Sequence, residues 1–287
     1  MIWREVLCKT VDYLDGKGVP EARIAAELMV ARLLGVGRGF LTGVLDKEAS
    51  DRLLDAMRRG MARLAAGEPV QYVLGEWDFR RLTLKCDRRA LIPRSETEEL
   101  VTRVLDYLSA LPKDGGDLPL VVDVGTGTGA IALSLADEFP AARYIATDVS
   151  GDAIALAREN AERCALAEKV VFVVTDGLDE FDEPQSVDVI VSNPPYIKSS
   201  VCETLDSRVK DFEPRLALDG GAEGFDFYDR YLADAVNLLK PSGAVFFEIG
   251  EDQGSAVKSL LECYGFSEIA IERDYAGHDR YARAVLI

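Results

Sequence analysis

Leu120-Val121-Val122-Asp123-Val124 runs directly into Gly125-Thr126-Gly127-Thr128-Gly129, and a helical pattern opens at Ala130. The stretch before the first glycine, apolar but for Asp123, reads as a buried strand. The glycines permit a tight strand-to-helix turn and let a ligand approach the backbone closely. Outward from this unit the alternation recurs. Strands are expected at Arg143–Thr147, Val170–Val174, Val187–Ser192, Ala244–Ile249, Ser267–Glu272 and Tyr281–Leu286. Helices are expected at Ala130–Glu138, Ala153–Ala165, Asp226–Leu239 and Gln253–Tyr264. Strands alternating with helices in this way define an α/β, doubly wound parallel sheet with helices on both faces.

In such a sheet ligands bind beyond the carboxyl ends of the strands. Asp148 ends the second strand, 19 residues after Gly129, where a carboxylate can accept both hydroxyls of a ribose. Asp176-Gly177 follows the third strand over the same crevice, within reach of an adenine edge. A glycine turn alone is a weak signal, but three strand ends offering polar groups to one place point to a nucleoside cofactor. The loop reads G-x-G-x-G, an imperfect match to the dinucleotide G-x-G-x-x-G, so by itself it does not decide between NAD and another nucleoside.

The fourth strand decides it. Val187–Ser192 ends in Asn193-Pro194-Pro195-Tyr196. Two prolines have no N–H and are stiff, so they present carbonyl oxygens in fixed directions. Asn193 adds a side-chain carbonyl, and Tyr196 a ring face. Two acceptors hold one –NH2 group in a single orientation. An amide-like nitrogen is a poor nucleophile that no side-chain base deprotonates at neutral pH, so its reaction depends on positioning and on acceptors for developing positive charge. Hydride transfer has no use for this motif.

Residues 1–68 read as a helical domain, with Val6, Leu7, Val11 and Leu14, then Ala22 to Leu34, then Leu53 to Leu64, at helical spacing. Residues 69–91 read as a connector of short strands, with Val70, Tyr72 and Leu74 in a first strand and Trp77, Phe79, Leu82 and Leu84 in a hairpin. Residues 92–287 form the third part. There Ser95 or Thr97 is placed to cap a helix from Glu98 to Leu111, and Lys113–Pro119 reads as a polar loop.

The net charge of -17 is uneven: residues 1–70 carry 11 basic and 10 acidic residues, and the remainder 22 basic and 40 acidic. An acidic body repels phosphate backbones, which counts against a nucleic-acid substrate and makes the near-neutral helical domain the better docking face for a protein. The five cysteines are scattered without a CxxC pair and His278 is the only histidine, so neither a metal site nor a disulfide framework is expected. No apolar run has the length of a membrane span, and charges fall where a signal peptide needs its apolar stretch, so a cytoplasmic location is expected.

Taken together, Gln71–Gly75, Leu91-Ile92-Pro93-Arg94-Ser95-Glu96-Thr97-Glu98, Asp123–Gly129, Val191–Ile197, Phe212-Glu213-Pro214, Glu248-Ile249-Gly250 and Gly277–Arg280 resemble the HemK/PrmC family of peptide chain release factor glutamine N5-methyltransferases. The likeness spans the whole chain. It implies a class I methyltransferase (Rossmann-like) sheet of seven strands, the last antiparallel, preceded by the helical domain. It implies S-adenosylmethionine held by Gly125, Thr126, Gly127, Thr128, Gly129, Asp148, Asp176, Gly177 and Asn193. It implies a glutamine amide, from the Gly-Gly-Gln loop of class 1 release factors, held by Asn193, Pro194, Pro195 and Tyr196, in a monomer that touches no nucleic acid directly and no membrane. The NPPY site is shared with adenine and guanine N-methyltransferases, which form the alternative class. Two departures stand out: Ser95 replaces a second proline, and Asp176-Gly177-Leu178 lacks the aromatic that many members carry after the acid. Glu248 is equally suited to lining the site and to a structural role, while Arg94 and Arg280 read as structural ion-pair residues and His278 as non-catalytic.

Overall fold

The computed structural model describes residues 1–111 and 117–287. Most of the expected loop from Lys113 to Pro119 therefore lies outside the described residues. The chain divides into two compact units, one of residues 1–76 with 206–212, the other of residues 77–205 with 213–287.

The first unit contains α1 (Trp3–Gly16), α2 (Ala22–Leu34), α3 (Asp51–Ala65) and α4 (Val70–Leu74). Trp3, Leu14, Val30 and Met57 are among its buried centre. The strand expected over Val70–Leu74 is instead this short helix. Alternating apolar residues fit either period over five positions, and burial settled the choice: Val70, Val73 and Leu74 pack against the helical core, with Pro69 before the first turn and Gly75, at φ 75°, ending the last. Arg63 donates to the carbonyls of Tyr72 and Val73, at 2.9 and 3.3 Å, which satisfies groups a helix end leaves open.

The hairpin is formed by β1 (Glu76–Phe79) and β2 (Leu82–Lys85). It is followed by α5 (Ser95–Ala110), β3 (Leu120–Val124), α6 (Ala130–Glu138), β4 (Arg143–Asp148), α7 (Gly151–Arg163), β5 (Val170–Val174) and β6 (Val187–Ser192). Two short helices, α8 (Ser199–Cys202) and α9 (Ser207–Lys210), precede α10 (Asp226–Leu238), β7 (Leu239–Glu248), α11 (Gly254–Cys263), β8 (Phe266–Arg273) and β9 (Asp279–Leu286).

The sheet order is β5-β4-β3-β6-β7-β9-β8, with β9 antiparallel to both neighbours and the other pairs parallel. This is the seven-stranded class I methyltransferase sheet. Every residue of β3 is buried, Asp123 among its four apolar neighbours, as a strand covered on both faces requires. Val121, Val189, Val191 and Phe246 face one helical layer with Leu100 and Val104 of α5 and Leu133 of α6. Val122, Val124, Ile190 and Phe247 face the other, with Leu232 of α10 and Leu261 of α11. The order reverses at β3, whose neighbours β4 and β6 lie on opposite sides, so the carboxyl ends of these three strands border one crevice. Among the described residues no helix is long and apolar enough to cross a membrane.

Candidate active site

The cleft at this crevice encloses about 1000 Å³ including its open mouth. Gly125, Thr126, Gly127, Thr128, Asp148, Asp176, Gly177, Asn193 and Pro195 all line it. Gly129, Pro194 and Tyr196 adjoin these residues in the chain without lining the cleft themselves. The glycine turn hangs on β4, whose Thr147 carbonyl accepts from the N–H groups of Gly125 and Thr126 at 2.9 and 2.8 Å. Gly129 has φ 83°, and a Cβ there would lie 3.0 Å from Leu133 and 3.2 Å from Ala157. Only glycine meets both demands.

Three residues that sequence reasoning did not single out hold this turn. Asn160, fully buried on α7, donates to the Thr128 carbonyl at 2.9 Å and accepts from the Lys85 N–H at 2.6 Å. Ser192 Oγ donates to the Val124 carbonyl at 2.6 Å, which ties the end of β6 to the end of β3. Asp123, 1% exposed, accepts from Thr126 Oγ1 at 2.5 Å and Ala132 N at 3.2 Å through Oδ2, and Oδ1 has no partner. Burial lifts its carboxyl to about 7, against those two hydrogen bonds.

A carboxyl whose folded pKa exceeds its unfolded value binds its proton more tightly when folded. Its stabilising share is complete below roughly pH 4, the unfolded value, and is lost as pH rises through about 7. Between pH 6 and 8 the share amounts to roughly 1.4 kcal/mol. Thermal melts of ligand-free Asp123→Asn are therefore expected to be flatter across this range than those of the wild type; an unchanged pH dependence would remove Asp123 as the source.

Asp148 is half-buried. Its Oδ2 accepts from Gly127 N and its Oδ1 from Ser150 N, each at 2.9 Å. The carboxylate is thus fixed in plane, and each oxygen retains a lone pair for a ligand hydroxyl. Burial pushes its pKa up, while these two N–H groups pull it down. Asp176 borders the cleft, but its Oδ2 is engaged by Arg230 at 2.5 Å. Behind it Gly177 has φ 65°, and a Cβ there would lie 3.0 Å from the Tyr231 ring. Tyr231 and Phe227 of α10 both line the cleft, with ring centroids 5.9 Å apart. The aromatic surface that is missing next to Asp176 in the sequence is supplied from a helix some fifty residues onward (Phe227 and Tyr231). Helical spacing alone reads these two rings as core.

Beyond β6, the Asn193 side chain donates from Nδ2 to Thr97 Oγ1 at 3.1 Å, and Thr97 donates to Glu248 Oε2 at 2.6 Å. This corrects the capping expectation: α5 begins at Ser95, neither Ser95 nor Thr97 caps it, and Ser95 instead donates to Glu96 at 3.0 Å. The buried Glu248 carboxylate claims the Thr97 hydroxyl. Glu248 is 2% exposed and burial raises its carboxyl to about 7. The backbone after Asn193 is clamped by the 218–220 segment and by Gln253. Ile197 N donates to the Leu218 carbonyl and Gly220 N to the Ile197 carbonyl, at 3.1 and 2.8 Å. Gln253 Nε2 donates to the carbonyls of Tyr196 and Gly224 at 3.1 and 3.0 Å. Burial pushes the Tyr196 phenol well up, so Tyr196 stays neutral.

Arg94 pairs with the buried Glu213 at 2.5 Å, and Glu213 also accepts from Ile92 N at 3.1 Å, so Glu213 of the Phe212-Glu213-Pro214 motif anchors the cleft wall at Ile92–Arg94. Arg280 pairs with Asp274 at 3.2 Å and donates to the Ile249 carbonyl. Arg280 thus holds backbone directly, and Arg94 pairs with the carboxylate that does. His278 is exposed beside Glu251.

A seven-stranded sheet with its last strand antiparallel, a glycine turn after β3 and an acid after β4 define a class I methyltransferase. Residues 102–211 match the methyltransferase small domain, and residues 5–75 match the PrmC N-terminal domain. The chain is 39% identical to a release factor glutamine methyltransferase of Moorella thermoacetica, covering 98% of this chain and 97% of that one. It is 38% identical to one of Chlorobaculum tepidum, covering 96% and 94%. This chain belongs to the release factor glutamine methyltransferase family. Among solved structures, the human METTL16 catalytic domain in complex with the MAT2A 3'UTR hairpin 6 has a TM-score of 0.58 at 18% identity, covering 77% of this chain and 81% of that one. The N-terminal domain of the same human protein in complex with SAH has a TM-score of 0.54 at 19% identity, covering 77% and 82%. At such identities these two share the fold.

Proposed function

We propose that this chain transfers a methyl group from S-adenosylmethionine to the side-chain amide nitrogen, N5, of the glutamine in the Gly-Gly-Gln motif of class 1 peptide chain release factors. The observation that carries the reading is that Asn193 and Pro195 line the same cleft as the glycine turn and Asp148. Both halves of a methyl transfer to a planar amide then have a place in one crevice.

The cleft fits the cofactor. Asp148, held by two N–H groups, suits a ribose diol. Gly125 to Gly129 leave room for the ligand beside the backbone, and Phe227 with Tyr231 offer ring faces to a purine. The small Gly177 gives these rings their space, and Asp176 contributes backbone and its uncommitted oxygen at that end. When bound, the cofactor supplies an electrophilic methyl group on a positively charged sulfur. The protein's own part is positional. Asn193 Oδ1 and the Pro194 carbonyl accept the two hydrogens of the substrate –NH2, Pro195 closes the wall, and Tyr196 stiffens the turn from behind. The acceptors stabilise positive charge as it grows on nitrogen, and a rigid placement replaces chemical activation of a poor nucleophile.

Asp148→Ala is expected to weaken S-adenosylmethionine by roughly 1–3 kcal/mol, the cost of unpaired ribose hydroxyls. Titration calorimetry showing full affinity would exclude Asp148 from the ribose site. The acidic balance beyond residue 70, 22 basic against 40 acidic, supports a protein substrate without direct nucleic-acid contact. Docking of the intact factor is assigned to the near-neutral residues 1 to about 70. Deleting them should raise KM for an intact release factor far more than for a Gly-Gly-Gln peptide, and equal effects would make them a folding support instead. The decisive test is mass spectrometry of a release factor after incubation with enzyme and S-adenosylmethionine. One added methyl on the Gly-Gly-Gln glutamine is expected; an unmodified factor, with methyl groups found on RNA or DNA, would overturn the reading.

A further inference from the structure

Asn193 faces its task with a side chain whose two ends have nearly the same shape. Turned one way, the carboxamide offers oxygen to a substrate –NH2; turned the other way, it offers a second –NH2, which repels it. Something must choose. Asn193 Nδ2 lies 3.1 Å from Thr97 Oγ1, and among the described residues nothing takes Oδ1. Thr97 has one hydroxyl proton, and it points to Glu248 Oε2 at 2.6 Å. In its ionised form the Glu248 carboxylate only accepts. In that form the hydroxyl proton is spent on Glu248, and toward Asn193 the Thr97 oxygen can only accept. Only the –NH2 end of Asn193 satisfies it.

Resting on the function proposed above, we infer that Thr97 and Glu248 are positioning residues: they set the polarity of the Asn193 carboxamide, so that Oδ1 and not Nδ2 receives the substrate amide. Burial makes the setting firm. Thr97 is 5% exposed and Glu248 2%, so water does not compete for either hydrogen bond. The placement has a structural origin as well. Thr97 lies in the first turn of α5 and Glu248 at the end of β7, the strand that neighbours β6, which delivers Asn193. The relay thus joins three elements that share only the tertiary fold. It also explains why a carboxylate is kept in an apolar interior, where an uncharged residue would cost less.

The test uses the full chain with Thr97→Val, which keeps shape and loses the hydroxyl, and Thr97→Ser, which keeps the hydroxyl. Glu248→Gln is the second probe, because its –NH2 can donate to Thr97 and reverse the relay. Single-turnover methylation of a release factor is expected to fall about 10–100-fold in Thr97→Val and Glu248→Gln, the range for removing residues that orient a functional side chain, and to persist in Thr97→Ser. Binding of S-adenosylmethionine and KM are expected to stay unchanged. The second readout needs no turnover: the Asn193 side-chain amide resonances in the S-adenosylhomocysteine-bound protein, assigned by their loss in Asn193→Ala. They should shift in Thr97→Val and Glu248→Gln and keep their wild-type positions in Thr97→Ser. Unshifted resonances in both hydroxyl-relay variants, or shifted resonances with an undiminished rate, overturn the inference. If the wild type methylates no release factor, the function fails on its own, and the resonances still decide whether Thr97 and Glu248 orient Asn193.

Discussion

Asn193→Ala is expected to lower the single-turnover rate on a Gly-Gly-Gln peptide by ~10²–10³, the usual cost of one preorganised electrostatic contact. The substitution removes Oδ1 as an acceptor, and the Pro194 carbonyl alone leaves the substrate amide free to rotate. The nitrogen lone pair then spends most of its time off the line of attack. The rest of the cleft should persist, because its supports lie elsewhere. Asp148 is held by Gly127 and Ser150, and the glycine turn by Thr147, Asn160 and Asp123. Cofactor affinity measured by calorimetry should therefore change far less than the rate. A variant that methylates at the wild-type rate would strip Asn193 of the role proposed for it.

Gly224→Ala is expected to damage both stability and rate. Gly224 has φ 82°, and a Cβ there would stand 2.5 Å from the Tyr196 carbonyl oxygen and 2.9 Å from Gln253 Nε2. The left-handed backbone alone costs roughly 1–2 kcal/mol with a side chain present, and overpacking adds roughly 1–3 kcal/mol. Neither obstacle can step aside cheaply. The carbonyl belongs to the reaction motif, and Gln253 is 5% exposed with Oε1 bonded to Gly250 N at 2.9 Å and to the Tyr228 hydroxyl at 3.3 Å. Relief comes by moving the Asn193–Tyr196 backbone. A displacement near 1 Å from the reacting geometry can cost on the order of 10²-fold in rate. Denaturant unfolding together with single-turnover kinetics checks both parts. Wild-type stability would show that the loop yields without strain; wild-type rate with reduced stability would show that the motif tolerates the shift.

Patterns that repeat within one element are legible in the chain itself. Leu120–Val124, Val170–Val174 and Val187–Ser192 appear as strands at the expected residues, and Ala130–Glu138 as the expected helix. Runs rich in valine and isoleucine read as strands whether covered on both faces, as β3 is, or at the sheet edge, as β5 is. The glycine turn, Asp148 and Asn193-Pro194-Pro195-Tyr196 are readable for a related reason. Each depends on residue types that are scarce at strand ends unless the backbone or a ligand requires them.

What the chain alone leaves undecided depends on partners far away along it. Val70–Leu74 fits two periods, and packing against the helical core makes it a helix. Thr97 carries the marks of a helix cap, yet its hydroxyl serves a carboxylate 151 residues distant. Asp123 looks like one more strand residue until its burial and unpartnered oxygen are seen. Phe227 and Tyr231 read as core aromatics until the sheet brings α10 over Gly177. By itself the sequence determined which backbone segments form, because local periodicity and local conformational limits are written in neighbouring residues. The tertiary structure alone decided which polar groups meet, because a buried hydrogen bond is set by the geometry of closing the sheet and not by spacing along the chain.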